Sequence, residues 1–587
     1  MRHFTRFLAA CASLAVLAGA GQDWSHYVRI AGHGLRPDNV PAIIAESKAS
    51  NVFGIEVDND IPGRYESFLD PALKLKAIHA AAVAAHAAGN KAFVYIAGLE
   101  CITAHADKTP HSVFKDHPDW VQRKLDGTPA VFGGGVAFWV AHGDEDVWIS
   151  PYAPEWRTRY MRLVRQIAAT GIDGIYVDIP YWMTHFEGWE KSWASFDDYT
   201  VAAFRRETGL DARRDVRLND VSDPHFRRWI DFRIRTITEF MKEIDSNVKA
   251  ANPQCLTIAE IYPGIEEAAP RVGADVYELY QVVDAIAHEY QGPADSMAAS
   301  KSPADWFDQT IGMFAFRAFA GGKASWMLNY SWDGEKDVSI PEAMKTLFAA
   351  QLTAGANSWD AKGHVMSGSN DIAVRTAVFG WIARHERTFY DPREPVHPTG
   401  VYFSPQTRNY YPDEFPKSFK GAMNAILEAH REFRIVTPRT MEAFRGPALI
   451  LPDARRIAAG EIAALRSRQL PLSEAEPGSA AFALLLDKAG EGHPVSVRAP
   501  PLVIAQIARV HGKLHVFLDN FKGVAAKRNA LPEPESGVVV SFDEKAGARV
   551  FVLPFLGEAA EVPTRHESGR LVARIPAFTR VAVVWCE

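Results

Sequence analysis

Short apolar runs alternate with longer amphipathic stretches eight times between residues 25 and about 390. The runs are Tyr27–Ala31, Val52–Val57, Ala92–Ala97, Gly174–Ile179, Cys255–Ile261, Ala285–Tyr290, Ser325–Tyr330 and Ala356–Asp360. They have strand length, and their near-continuous apolar character is that of strands covered on both faces. Helical signals separate them. Asp70-Pro71 opens a run closed by Gly89, and Pro154 opens another closed by Gly171. Asp223-Pro224 opens the longest helix, in which Phe226, Ile230, Ile234, Ile237, Phe240, Ile244 and Val248 form an apolar stripe; Asn252-Pro253 ends it. Ser302-Pro303 and Ile340-Pro341 start two more, ending near Gly321 and Gly355.

Strands alternating with helices in this way predict an α/β fold with a closed (β/α)8 TIM barrel over residues 21–390. No GxGxxG follows the first strand, which disfavours an open dinucleotide-binding sheet. The pattern changes at "DPREPVHP", a linker-like stretch. Beyond it, runs at Gly400–Ser404, Phe433–Val436 and Ala448–Leu451 around a helix near Lys420–Arg431 predict a small α/β domain over 391–497. From 498 to 587, "KLHVFLDN", "GVVVSF", "ARVFVLPF" and "VAVVWCE" predict an antiparallel β-sandwich.

Composition narrows the class. A net charge of −7 gives no basic footprint for nucleic acid. Residues 1–20 combine Arg2 and Arg6, an apolar run over Phe7–Leu17 and Ala18-Gly19-Ala20, the pattern of a cleaved secretory signal, so a periplasmic or secreted protein is expected. No segment is long and apolar enough for a membrane span. Cys101, Cys255 and Cys586 are too far apart for a CxxC metal site or a disulfide framework.

Candidate chemistry gathers at the strand ends, where barrels of this kind place their active sites. Asp178 interrupts "GIYVDIPYW", Glu260 stands in "IAEIY" and Glu289 in "AHEYQG". A carboxylate in an apolar run is costly without a partner, so these three are the candidate catalytic residues. Asp58 and Asp360 end strands two and eight, where helix capping is an equal alternative. Other strand-end side chains could contact a sugar: Tyr181 and Trp182 after strand four, Tyr262 after strand five, His288, Asn329 and Tyr330 on strands six and seven, and Trp359. Residues 98–153 form an unusually long connection. Its Trp120, Trp148 and Tyr152 either stack on sugars or pin the loop to the barrel; Trp148 is taken as a binding candidate. HExxH and GxSxG are absent, which leaves carboxylate chemistry and no expected metal or cofactor.

"HPDWVQRKLDGTPA", "ISPYAPEWRTRYMRLVRQIAATGIDGIYVDIPYW" and "FDDYTVAAFRRETGLD" resemble the glycosyl-hydrolase-like barrels and, more distantly, family 42 β-galactosidases. "AEIYPG", "VVDAIAHEYQG" and "GGKASWMLNYSWD" continue the likeness. It implies a glycoside hydrolase acting on an oligo- or polysaccharide. It also implies an amidotransferase-like second domain that resembles a trimerisation domain, making a homotrimer an expectation. Family 42 enzymes carry their catalytic glutamates on strands four and seven, whereas here strand four ends in Asp178 and strand seven in Asn329-Tyr330. An Asp on strand four followed by a Glu on strand five is similar to the placement in family 13 α-glycosidases. That likeness implies Asp178 as nucleophile and Glu260 as acid/base in a retaining mechanism. Inverting hydrolysis by Asp178 and Glu289, and a carbohydrate-binding barrel without activity, are the alternatives.

Overall fold

The computed structural model describes residues 23–137, 139–261, 269–290, 303–329, 339–361, 369, 371–525 and 529–587, with backbone alone at 289, 290, 303–307 and 329. Tyr262 and Tyr330 lie outside the described residues. Eight parallel strands close into a barrel: β1 (Ile30–Gly34), β2 (Gly54–Asp58), β3 (Lys91–Ala97), β4 (Gly174–Asp178), β5 (Leu256–Ile261), β6 (Ala285–Tyr290), β7 (Ala324–Asn329) and β8 (Asn357–Asp360). All eight runs expected from the hydropathy pattern are strands of this barrel. The first starts three residues late, because Asp23–His26 forms a 3-10 turn and strand pairing begins at Ile30, opposite Gly54.

Pairing register fixes which side chains face inward. Phe93 lies level with Glu56, Tyr95 with Asp58, Tyr176 with Tyr95, and Trp359 with Ile30. The lower barrel is filled by Trp24, Val28, Ile30, Phe93, Tyr176, Trp326 and Trp359 in one apolar cluster. Phe93 and Tyr176 pack on Trp359 with ring centroids 5.4 and 4.9 Å apart. Each such side chain stabilises the fold by roughly 1.5–3 kcal/mol. The barrel is therefore a packed floor under a mouth formed by the C-terminal strand ends.

Helix caps follow the sequence signals. Asp223 accepts from the His225 N–H at the head of Pro224–Ala251, and Gly89 closes Ala72–Ala88 in the left-handed conformation. The long connection after β3 is an ordered insertion. It carries a three-stranded antiparallel sheet in which Glu145–Trp148 lies between Glu100–Thr103 and Val131–Gly133. Trp120, buried, stacks on His117, and Tyr152 stacks on Phe232 and hydrogen-bonds Thr236, so these rings pin the insertion.

A four-stranded parallel sheet follows, in the order Phe433–Val436, Thr399–Tyr402, Leu449–Ile450, Leu472–Ser473. The last of these strands is too short to show in the hydropathy pattern. Four- and five-stranded antiparallel sheets then enclose a separate apolar core between Val495 and Cys586. The linker-like stretch before them is tied down. Tyr27 donates to Asp391 at 2.5 Å, Glu394 pairs with Arg509, and Glu432 accepts from the N–H groups of Val396 and His397. Arg393 donates to the carbonyls of Leu352, Thr353 and Phe389 and to Gln506, and it stacks on Phe517. Arg580 of the sandwich binds Glu342 and Thr346 on the helix Ile340–Ala354.

Candidate active site

Strand register brings Asp58, Asp178 and Glu260 to the mouth. Tyr176 pairs with Ile258 and Val177 with Ala259, so Asp178 and Glu260 are next in the two rows. Asp178 is half-buried, and one of its oxygens accepts from the Tyr95 hydroxyl one strand away. Glu260 is only 1% exposed; its Oε2 accepts from the Tyr181 hydroxyl at 2.7 Å and from the Ile179 N–H at 3.4 Å.

The turn that follows Asp178 is tightly held. Ile179 has φ +42°, a left-handed conformation that is costly for a β-branched residue and is found mostly where function over-determines the backbone. Gly98 donates to the Asp178 carbonyl at 2.7 Å and Leu99 to the Ile179 carbonyl at 3.4 Å, carrying the β3–β4 ladder beyond the barrel. A Cβ on Gly98 would meet that carbonyl at 2.7 Å and Pro180 Cα at 2.9 Å, so the approach requires glycine.

Further acids surround this pair. Burial, then the charge of Asp60, pushes Asp58 up to about 7, with Asp178 adding to the effect; Asp58 Oδ1 accepts from the Asp60 N–H. Beneath it, Glu56 is fully buried and held well above the usual carboxylate range, first by burial and then by Asp58. Glu100, the first residue of the insertion sheet, is 8% exposed. Burial raises it to about 7; the Trp139 N–H, 3.1 Å from its Oε1, opposes the rise and Asp178 adds to it. Asp146, fully buried behind Glu100, is raised well above its ordinary value by burial and by Glu100.

Several expected contacts lie elsewhere. Trp359, not Asp360, faces inward on β8, in the packed floor. Asp360 points outward, 3.6 Å from Arg375, with burial raising it to about 6. His288 is likewise on the outer side of β6, stacked on Phe316, and burial pushes its pKa well down. Trp148 is buried in the insertion and donates to Asp146 at 3.3 Å. Trp182 is buried against Gly273 and donates to the Arg233 carbonyl. These four side chains do not line the mouth, and Trp359 lies below it. Glu289 and Asn329 are placed by backbone only, in β6 and β7.

Glu56, Tyr95, Glu100 and Asp146 were not among the residues expected from the sequence. Glu56 had a signal, since it alternates with Asp58 in "GIEVD" and must share its face. Among the described residues, no group of three or more His, Cys, Asp or Glu side chains could hold a metal ion. The mouth is thus a constellation of carboxyls in contrasting surroundings: Asp178 half-open, Glu260 buried and hydrogen-bonded, and Glu56, Asp58, Glu100 and Asp146 raised by burial. Such contrast is what two-carboxylate hydrolysis needs.

The barrel and its mouth have counterparts among known proteins. The profile of the family described as Glycosyl hydrolase-like 10 matches residues 87–265, from the end of the helix before β3 through β5. Solved structures agree on the fold across nearly the whole chain. An α-L-fucosidase isoenzyme 2 from Paenibacillus thiaminolyticus superposes with a TM-score of 0.61 at 13% identity, covering 95% of this chain and 99% of its own. A catalytic mutant of Gan42B, a GH42 β-galactosidase from G. stearothermophilus, gives 0.67 at 10% identity, covering 95% and 98%. The β-galactosidase of Halorubrum lacusprofundi gives 0.63 at 12%, covering 95% and 99%. No curated protein sequence matches the chain.

Proposed function

We propose that the protein is a glycoside hydrolase acting on an oligo- or polysaccharide by a two-carboxylate, retaining mechanism. The observation that carries the reading is the pairing of half-open Asp178 with buried Glu260 at neighbouring inward positions of the barrel mouth. Asp178 is the nucleophile: the Tyr95 hydroxyl steadies one oxygen, and the other is left to attack the anomeric carbon. By strand register the partner carboxyl is Glu260, which would protonate the leaving oxygen and then activate water. The glycosyl-hydrolase-like match over residues 87–265, which include β3, β4 and β5, supports the same site.

Chromogenic α- and β-glycosides test the reading. Turnover by the wild type should vanish in Asp178→Asn, by at least about 10³-fold, while sugar binding persists. A fluorosugar of the matching configuration should label Asp178. Sugar affinity with no turnover in the wild type would instead establish a carbohydrate-binding barrel. Export belongs to the same proposal: N-terminal sequencing of the periplasmic or secreted form should begin near Gly21, and a mature chain retaining Met1 would overturn it.

A further inference from the structure

The leaving oxygen needs a proton, and a second carboxyl besides Glu260 stands beside Asp178 to give one. The Oε2 of Glu260 is already engaged by the Tyr181 hydroxyl and the Ile179 N–H. Glu100 is differently placed. The β3–β4 ladder continues through Gly98 and Leu99 against the residues that follow β4, so Glu100 enters beside the tip of the strand that carries Asp178. Its Oε1 accepts from the Trp139 N–H at 3.1 Å. Asp146 packs behind it within hydrogen-bonding reach. Asp146 Oδ2 accepts from Trp148, but its buried Oδ1 accepts from no N–H or O–H donor. Two buried carboxyls can meet in this way only with a proton between them.

We propose that Glu100, supplied by the insertion and backed by Asp146, is the proton donor to the leaving oxygen, while Glu260 is a positioning residue that holds Tyr181 and the Ile179 turn beside Asp178. The proposal rests on the glycoside-hydrolase reading with Asp178 as nucleophile, and moves the acid/base role from Glu260, the carboxyl that strand register alone selects, to Glu100. In the first step the Glu100 proton passes to the glycosidic oxygen. The bond from that oxygen to the anomeric carbon breaks with its electron pair going to oxygen, and a bond from Asp178 to the anomeric carbon forms. In the second step water attacks that carbon, gives its proton to Glu100 and releases Asp178. Among the described residues the titratable groups that face Glu100 are Asp146, Asp178, Tyr95, Cys101 and Arg64. Burial and Asp178 hold the proton on Glu100 to about pH 7, opposed by Trp139, Asp146 and Arg64.

Leaving-group dependence and chemical rescue in the full chain test this. Glu100→Gln should lower kcat/KM on glycosides with poor leaving groups by about 10²–10⁴-fold and on activated aryl glycosides by less than about tenfold. Azide should restore Glu100→Ala on activated substrates and yield a glycosyl azide. Glu260→Ala should show no such rescue. Rescue at Glu260 and none at Glu100 would overturn the proposal while keeping the glycosidase reading; a wild type inert on every glycoside would remove both. Should Glu100→Ala not fold, Asp146 gives an independent arm. Asp146→Asn keeps a neutral donor and should keep the alkaline limb of kcat/KM, whereas Asp146→Leu removes that donor and should move the limb to higher pH. An alkaline limb unmoved by Asp146→Leu would count against Glu100.

Discussion

At the scale of single residues, the mouth concentrates carboxyls whose protons come off late. Glu100 and Asp58 each lose theirs near pH 7 in the folded chain, against ordinary values of 4.5 and 3.8. The sign follows from proton counts. Between the ordinary and the folded values the native state holds more protons than the unfolded chain, so unfolding releases protons and stability falls as pH rises through that window. The melting temperature should therefore decline from about pH 5 to pH 8, and Glu100→Gln, which cannot ionise, should flatten part of the decline. A wild-type profile that rises over this range would contradict the assigned burial of these acids. Neither Glu100 nor its partner could be found from sequence. They are 46 residues apart, and only the pairing of two insertion strands, Glu100–Thr103 with Glu145–Trp148, joins them.

At the scale of elements, the strands were legible because parallel barrel strands are apolar on both faces, and the same property hid which face each residue takes. In "NSWD" the hydropathy pattern cannot say whether Trp359 or Asp360 points inward; register with Ile30 and Leu328 decides for the tryptophan. The same one-residue parity sends His288 outward. Asp178 was legible because proline and two aromatics follow it with no helix for it to cap. The β3–β4 junction makes a demand that sequence alone does not announce. Gly98→Ala would push a methyl group into the Asp178 carbonyl and Pro180. It should cost activity by about tenfold or more and stability by about 1–3 kcal/mol. Gly127→Ala has open space around its Cβ but a left-handed φ, so it should disturb local stability alone. Comparing kcat/KM and urea midpoints of the two variants checks this.

At the scale of the whole molecule, the segment around Arg393 joins barrel and sandwich. Arg393→Ala would strip hydrogen bonds from the carbonyls of Leu352, Thr353 and Phe389 together with the Gln506 and Phe517 contacts. Loss of charge-assisted bonds of this kind should destabilise the chain by about 2–4 kcal/mol, read from urea unfolding. Leu352 and Thr353 lie in the last turn of the helix Ile340–Ala354, whose carbonyls have no partners within the helix. Thr346 and Glu342 of that helix are bound by Arg580, and Thr346 also by the Ala530 carbonyl. The helix between β7 and β8 is thus held at its end by Arg393, 40 and 41 positions beyond Thr353 and Leu352, and along its length by Ala530 and Arg580, which lie 184 and 234 positions beyond Thr346. A nascent chain that has made β8 holds all eight barrel strands, but this helix still lacks its contacts with Ala530 and Arg580 until the C-terminal strands emerge. Hydrogen exchange on chains stopped before residue 500 should show fast exchange in Ile340–Ala354 and slow exchange in β3, β4 and β5, so that the half of the barrel bearing Asp178 matures first.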